Sequence, residues 1–227
     1  MNRSGGMDPI TSPTLHLLVG LLTTVSLAFP PMIARGAASD PSDLLDRIAR
    51  PAPATTRFIE VRFSSLLTTP LVVSGELDYQ SATSLTKRID SPYHEQMNVT
   101  GNEVSIVREG EPLRHFSLKR APELRGMLTA FGSLLAGDHT TVEQYFQISA
   151  AEDGDSWQLV LTPRDPAVAR RLPKVVVTGR AKIPRCLTVT EAGGNASVML
   201  LGDAGLDPLP EPLELAALDL RCRNLER

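Results

Sequence analysis

The sequence predicts a mainly β (α+β) fold: a single antiparallel sheet of about eleven strands, strongly curved or partly closed. Three observations predict it. Beyond Pro53 the apolar residues recur with period two, as in Leu71, Val73, Leu77 and Tyr79 against Ser74, Glu76, Asp78 and Gln80. Tight-turn signals such as Gly101-Asn102, Glu109-Gly110 and Asp153-Gly154 separate the segments at hairpin spacing. Finally, strands do not alternate with helices in the way a parallel sheet requires.

Taken in order, the chain opens with an apolar run, Leu15 to Phe29, preceded by Arg3 and followed by Pro30-Pro31 and the small residues Gly36-Ala37-Ala38. Fifteen helical residues rise about 22 Å, short of a hydrocarbon core of about 30 Å. The run therefore reads as a secretory signal over residues 1–38, cleaved near 36–38, and no stable membrane insertion is expected. Residues 41–50 read as a short helix with Ser42 as N-cap and Leu44, Leu45 and Ile48 on one face. Strands follow at Ile59, Val61 and Phe63, at 71–80, and then at 84–90, 94–100, 103–109 and 112–119. One helical stripe interrupts them: Leu124, Met127, Leu128, Phe131, Leu134 and Leu135, stopped by Gly137. Gly132 inside it costs about 1 kcal/mol against alanine and is a place where the helix can divide. Strands resume at 143–150, 156–163, 174–180, 185–191 and 196–201, with a helical turn over 164–172. Past Gly202 the composition changes to a Pro-rich linker and a possible helix, so 203–227 reads as an appendage to a domain spanning 39–202.

Composition excludes several functions. With 23 Lys and Arg against 26 Asp and Glu, the formal charge is −3, so no basic stripe is available for nucleic acid. One Trp, three Tyr and six Phe leave few platforms for stacking bases or sugars. The histidines His16, His94, His115 and His139 stand in no metal-ligand spacing, and there is no nucleophile elbow and no glycine-rich phosphate loop. No metal, no cofactor and no enzyme activity are expected. Cys186 and Cys222 either pair, closing a loop of about 36 residues, or both stay free.

The order of export signal, short helix, long antiparallel meander, mid-chain amphipathic helix and further strands resembles the LolA-type periplasmic outer-membrane lipoprotein carriers, in their divergent LolA-related branch. The resemblance rests on Arg57-Phe58-Ile59-Glu60, Ser74-Gly75-Glu76-Leu77-Asp78-Tyr79, Thr100-Gly101-Asn102-Glu103-Val104, Leu134-Leu135-Ala136-Gly137-Asp138 and Trp157-Gln158-Leu159-Val160-Leu161-Thr162-Pro163, and it covers roughly 41–202. It implies an unclosed β-barrel with a helical lid, binding of lipid or lipoprotein acyl chains, no catalysis, and partners in an inner-membrane extractor and an outer-membrane acceptor. The family's Arg-Pro pair after the second strand, tied to lid opening, is replaced here by Ser81-Ala82.

A lipid carrier needs an apolar concavity almost free of unpaired polar groups. Candidates for its lining are Val61 and Phe63, then Leu71, Val73, Leu77 and Tyr79, the helical stripe from Leu124 to Leu135, and Trp157, Leu159 and Leu161. Such stripes form ordinary core more often than ligand lining. What favours lining is supply, because one curved sheet with few short helices has little to fill its concave side. The competing reading is an envelope scaffold or adaptor that binds a partner protein through the half-barrel. A monomer is expected in either case.

Overall fold

The computed structural model describes residues 37–223, so the expected export signal lies outside the described residues. All the strands join one antiparallel sheet of twelve: the eleven expected segments plus a short edge strand. That extra strand, β1 (Ala37–Ser39), pairs with β8 (Phe146–Asp153). Three small residues carry no periodic pattern, which is why periodicity did not reveal it.

The sheet consists of two meanders joined at one seam. The first runs through β2 (Ala54–Phe63), β3 (Leu71–Ser81), β4 (Ser84–Ser91), β5 (Glu95–Thr100), β6 (Glu103–Arg108) and β7 (Arg114–Ser117). The second runs through β8, β9 (Ser156–Pro163), β10 (Lys174–Arg180), β11 (Ile183–Thr190) and β12 (Ala196–Leu201). β12 pairs with β2, so β1 and β7 are left as the two edges of an unclosed sheet.

This topology dictates where the helices go. β7 is one edge, and β8 is the second strand from the other. The chain between them must therefore cross the whole sheet. It does so in α2 (Pro122–Ala136) and α3 (His139–Tyr145), after α1 (Pro41–Ile48) has packed near the β8 end. Asp40, not Ser42, is the N-cap of α1: its carboxylate accepts from the Ser42 backbone N–H at 2.9 Å. The strand expected from residue 143 begins instead at Phe146, since α3, capped by Asp138, takes up the preceding residues. At the other end, β7 stops at Ser117 and a 3₁₀ turn (Leu118–Arg120) leads into α2.

α2 runs unbroken through Gly132, and the reason is a close approach. A Cβ at Gly132 would collide with the backbone carbonyl of Ala82 in the turn between β3 and β4. The bare glycine lets the helix sit on that turn. The helix ends at Gly137, whose φ of 75° is the left-handed conformation that suits a C-cap. Gly132→Ala is accordingly expected to destabilise the protein by about 1–3 kcal/mol through the clash, despite a helix-propensity gain of about 1 kcal/mol. Urea unfolding followed by fluorescence of Trp157, the single tryptophan, measures this; an unchanged or raised midpoint would show that the helix is not seated there.

Between Asp203 and Arg223 the chain packs back against the sheet. A last helix (Leu215–Arg223) brings Leu218 and Cys222 against Val61, Val198 and Leu200, with Leu209 and Leu213 beside them. Cys186 and Cys222 form a disulfide, with Cα atoms 5.8 Å apart. Arg221 donates to the carbonyls of Pro208 and Ala204, holding the linker back on its own helix. The sheet is thus covered on both faces, by α2 on the inner and by the C-terminal segment on the outer.

A lidded apolar cavity as the candidate functional site

Strand register decides what faces inward. Thr56, Phe58, Glu60 and Arg62 of β2 lie opposite Leu77, Gly75, Val73 and Leu71 of β3, and Leu77 lies opposite Lys87 of β4. On the other side of the seam Met199 is opposite Glu60, and Leu187 is opposite Met199. Paired residues share a face. The inner face therefore carries Phe58, Glu60 and Arg62, while Ile59, Val61 and Phe63 point outward.

Between this face and α2 lies a cavity of about 340 Å³. Its wall comes from Leu77, Leu85 and Met97 on one flank, Val175, Val177, Leu187, Val189 and Met199 on the other, and Met127, Leu128, Phe131, Leu134 and Leu135 of α2 above, with Ile48, Leu172, Pro184 and Leu201 around them. The two ends of α2 are anchored differently. Leu124 and Leu128 pack on Val99, Val104 and Leu118 near the β7 edge. Ala130 and Leu134 join the core formed by α1, α3 and the β8–β10 end. Met127 and Phe131, in the middle of the helix, pack against the edge of that core and roof the cavity.

Among the described residues, four polar ones reach the wall: Glu60, Lys87, Glu191 and Ser197. Glu60 and Lys87 form the core of a cluster. The Lys87 ammonium donates to Glu60 Oε2 at 2.7 Å, and Arg62 Nη2 donates to the same oxygen at 2.8 Å. Arg62 also donates to the Tyr93 hydroxyl at 3.1 Å, and Lys87 Nζ stands 5.0 Å above the Phe58 ring. Burial works to raise the Glu60 pKa, but the hydrogen bond from Arg62 and the charge and hydrogen bond of Lys87 outweigh it, so the carboxyl lies below its ordinary value. For Lys87 the balance differs: burial lowers its pKa and Glu60 only partly restores it.

The depressed Glu60 pKa carries a stability consequence. The unfolded carboxyl titrates near 4.3, so the stabilisation is complete above that value and is lost as pH falls from it through the folded pKa. Between about pH 5 and pH 3 the native protein should lose stability more steeply than Glu60→Gln. Urea midpoints of the two proteins across that range check this, and parallel losses would assign the acid sensitivity elsewhere.

Of the residues singled out from sequence, Leu77, Met127, Leu128, Phe131, Leu134 and Leu135 stand in the cavity wall. Leu71 and Val73 lie on the same face but pack with Phe58, Ile89 and Met199 in solid core. Tyr79, further along the strand, is buried, and burial raises its hydroxyl pKa. Leu124 is part of the β7-edge anchor of the helix. Trp157, Leu159 and Leu161 face inward but belong to the core that contains α1 and α3; the Trp157 indole donates to the Ala181 carbonyl at 3.0 Å. Val61 and Phe63 are on the outer face, beneath the C-terminal segment, because odd-numbered residues of β2 point away from the cavity. Val175, Val177, Leu187, Val189 and Met199 sit in strands that the sequence did locate, but nothing in them distinguished the cavity side. Glu60 and Lys87 were missed because a search for an apolar lining passes over charges.

The Ser81-Ala82 turn, where the sequence departs from the Arg-Pro pattern, touches the lid through the Ala82 carbonyl at Gly132. Among the described residues, no cluster of His, Cys, Asp and Glu could hold a metal, and no helix is long and apolar enough to cross a membrane.

No curated protein matches the chain by sequence. Two of the solved structures similar to it are as follows. One is a LolA superfamily protein from Nitrosomonas europaea, 12% identical with a TM-score of 0.40, the match covering 75% of this chain and 94% of that one. The other is LprF from Mycobacterium bovis, 13% identical with a TM-score of 0.37, the match covering 78% and 99%. A family model, the outer membrane lipoprotein carrier protein LolA-like family, matches residues 33–220 and so includes most of the C-terminal segment on the outer face. An unclosed antiparallel sheet bridged by one long helix is the fold expected from the LolA resemblance, and with a match over most of its length the chain belongs to this LolA-like family.

Proposed function

We propose that the protein is a periplasmic carrier that shelters acyl chains of a lipoprotein or another lipid in the cavity under α2 and ferries them toward the outer membrane. One observation carries the reading: an aliphatic cavity of about 340 Å³ whose roof is a helix spanning from one core to another. Membership in a family of lipoprotein carriers supports it. So does the scarcity of aromatic rings, which suits a site for aliphatic chains. Periplasmic placement rests on the export signal read in residues 1–38. The protein would work as a monomer without cofactor or catalysis, taking cargo from an inner-membrane extractor and passing it to an outer-membrane acceptor.

Size constrains the mechanism. Ligand pockets run from about 300 to 1,000 Å³, so this one is at the small end. Three acyl chains of about fifteen carbons, wholly buried, would gain roughly 36 kcal/mol, beyond the practical ceiling of about 18–21 kcal/mol. A multi-chain cargo would therefore be held partly exposed, with α2 lifted from the Ala82 turn, whereas a single chain would fit with the helix in place. Native mass spectrometry of the protein purified from a Gram-negative envelope tests the reading. A co-purifying lipid mass is expected. A clean apo mass after mild purification would contradict it and favour the adaptor reading.

A further inference from the structure

We propose that the charged pair in the cavity wall, Lys87 and Glu60, backed by Arg62 behind Glu60, docks an anionic head group, so that the preferred ligand is a single-chain amphiphile ending in a carboxylate or phosphate. The inference rests on the carrier reading and refines it to a ligand class.

The patch is out of place as a device for stability. A buried ion pair roughly breaks even against apolar residues of the same volume, because desolvation offsets the attraction. Here it interrupts a wall that is otherwise almost wholly aliphatic. Lys87 sits between Leu77 and Met97 in register, with the Phe58 ring beneath its ammonium.

Charge then indicates what the patch lacks. The single carboxylate of Glu60 faces two cations, Lys87 and Arg62. The next layer does not correct this: Glu95, whose charge also bears on Lys87, and Glu111 are shared between Arg108 and Arg114. One positive charge remains in excess by either count. The other carboxylate of the wall, Glu191, is exposed where β11 ends. Donors are also in excess. An ammonium has three N–H groups, and among the described residues Glu60 alone accepts from Lys87. An oxyanion brought in on an acyl chain would take a charge-assisted hydrogen bond from Lys87 and balance the cluster, with its chain lying along the aliphatic wall under α2.

The test uses the delipidated full chain and three ligands of equal chain length at pH 8: dodecanoate, dodecyl phosphate and dodecanol, each displacing an uncharged fluorescent acyl probe. One anionic ligand or both should bind about tenfold or more tighter than the alcohol, the return expected from one charge-assisted hydrogen bond, and the tighter of the two identifies the head group. The preference should fall to within about threefold in Lys87→Gln, which leaves the Glu60–Arg62 pair in place, and persist in Lys87→Arg. Equal affinity for all three in the native protein would overturn the inference while leaving the carrier reading intact. No binding of any of them would remove the carrier reading itself. The comparison in the native protein decides the matter even if Lys87→Gln does not fold. An undiminished preference in a folded Lys87→Gln would remove the role of Lys87.

Discussion

Phe131→Glu is expected to lower acyl-chain affinity by at least about a hundredfold, while Phe131→Leu stays within about threefold of the native protein. Phe131 lies in the middle of α2, in the roof of the cavity, packed against the edge of the core formed by α1, α3 and the β8–β10 end. Glutamate favours a helix about as well as most residues, so the backbone need not change. Its carboxylate would stand in the aliphatic roof among Met127, Leu128 and Leu134, where an ionised group loses water at a cost of several kcal/mol once a chain fills the space. A hundredfold corresponds to about 2.7 kcal/mol, well within that cost. Displacement of a fluorescent acyl probe measures it, and circular dichroism confirms that the variant is folded. An affinity within tenfold of native would place the acyl site elsewhere.

The second large effect concerns the outer face. Reduction of the Cys186–Cys222 disulfide, or Cys222→Ser, is expected to cost about 2–4 kcal/mol of stability. The bond closes a loop between residues 36 positions apart, for which the chain-entropy model gives about 4 kcal/mol at 25 °C. The loss goes beyond the crosslink, because the same bond holds Leu218 over Val61, Val198 and Leu200. Releasing the C-terminal segment would bare an apolar strip on the sheet, and the reduced protein should self-associate. Urea unfolding monitored by Trp157, with and without reductant, gives the stability difference. Coincident curves would show that the segment holds its place without the bond.

Much of the fold could be read from the sequence because its signals are local. The hairpin turns, the alternation in β3 and the stripe of α2 each lie within about a dozen residues, and each falls where expected to within a few positions. What could not be read depends on tertiary partners. In β2 the more apolar set, Ile59, Val61 and Phe63, looks like the side that faces a cavity. It faces outward because residues 209–222, remote in sequence, cover that side. A sheet buried on both faces has no purely polar side to orient it. The same ambiguity hid the cavity's charged patch: Glu60 and Arg62 appear to be the solvent side of a half-buried strand until the outer cover is known. β1, at three residues, is too short for any pattern to register. Trp157, Leu159 and Leu161 face inward, but α1 and α3 fill the space over them, a consequence of where the crossing segment lands.

An acyl chain bound by the protein is expected to lie between α2 and the inner face of the sheet. The most direct test is photocrosslinking with a fatty-acyl probe carrying a diazirine near its methyl end, followed by peptide mapping. Adducts should concentrate on α2 around Met127 and Phe131 and on inner-face residues such as Leu187 and Met199, and excess unlabelled chain should compete them away. Adducts confined to the outer face around Leu209 and Leu218, or labelling that excess chain does not compete, would contradict it.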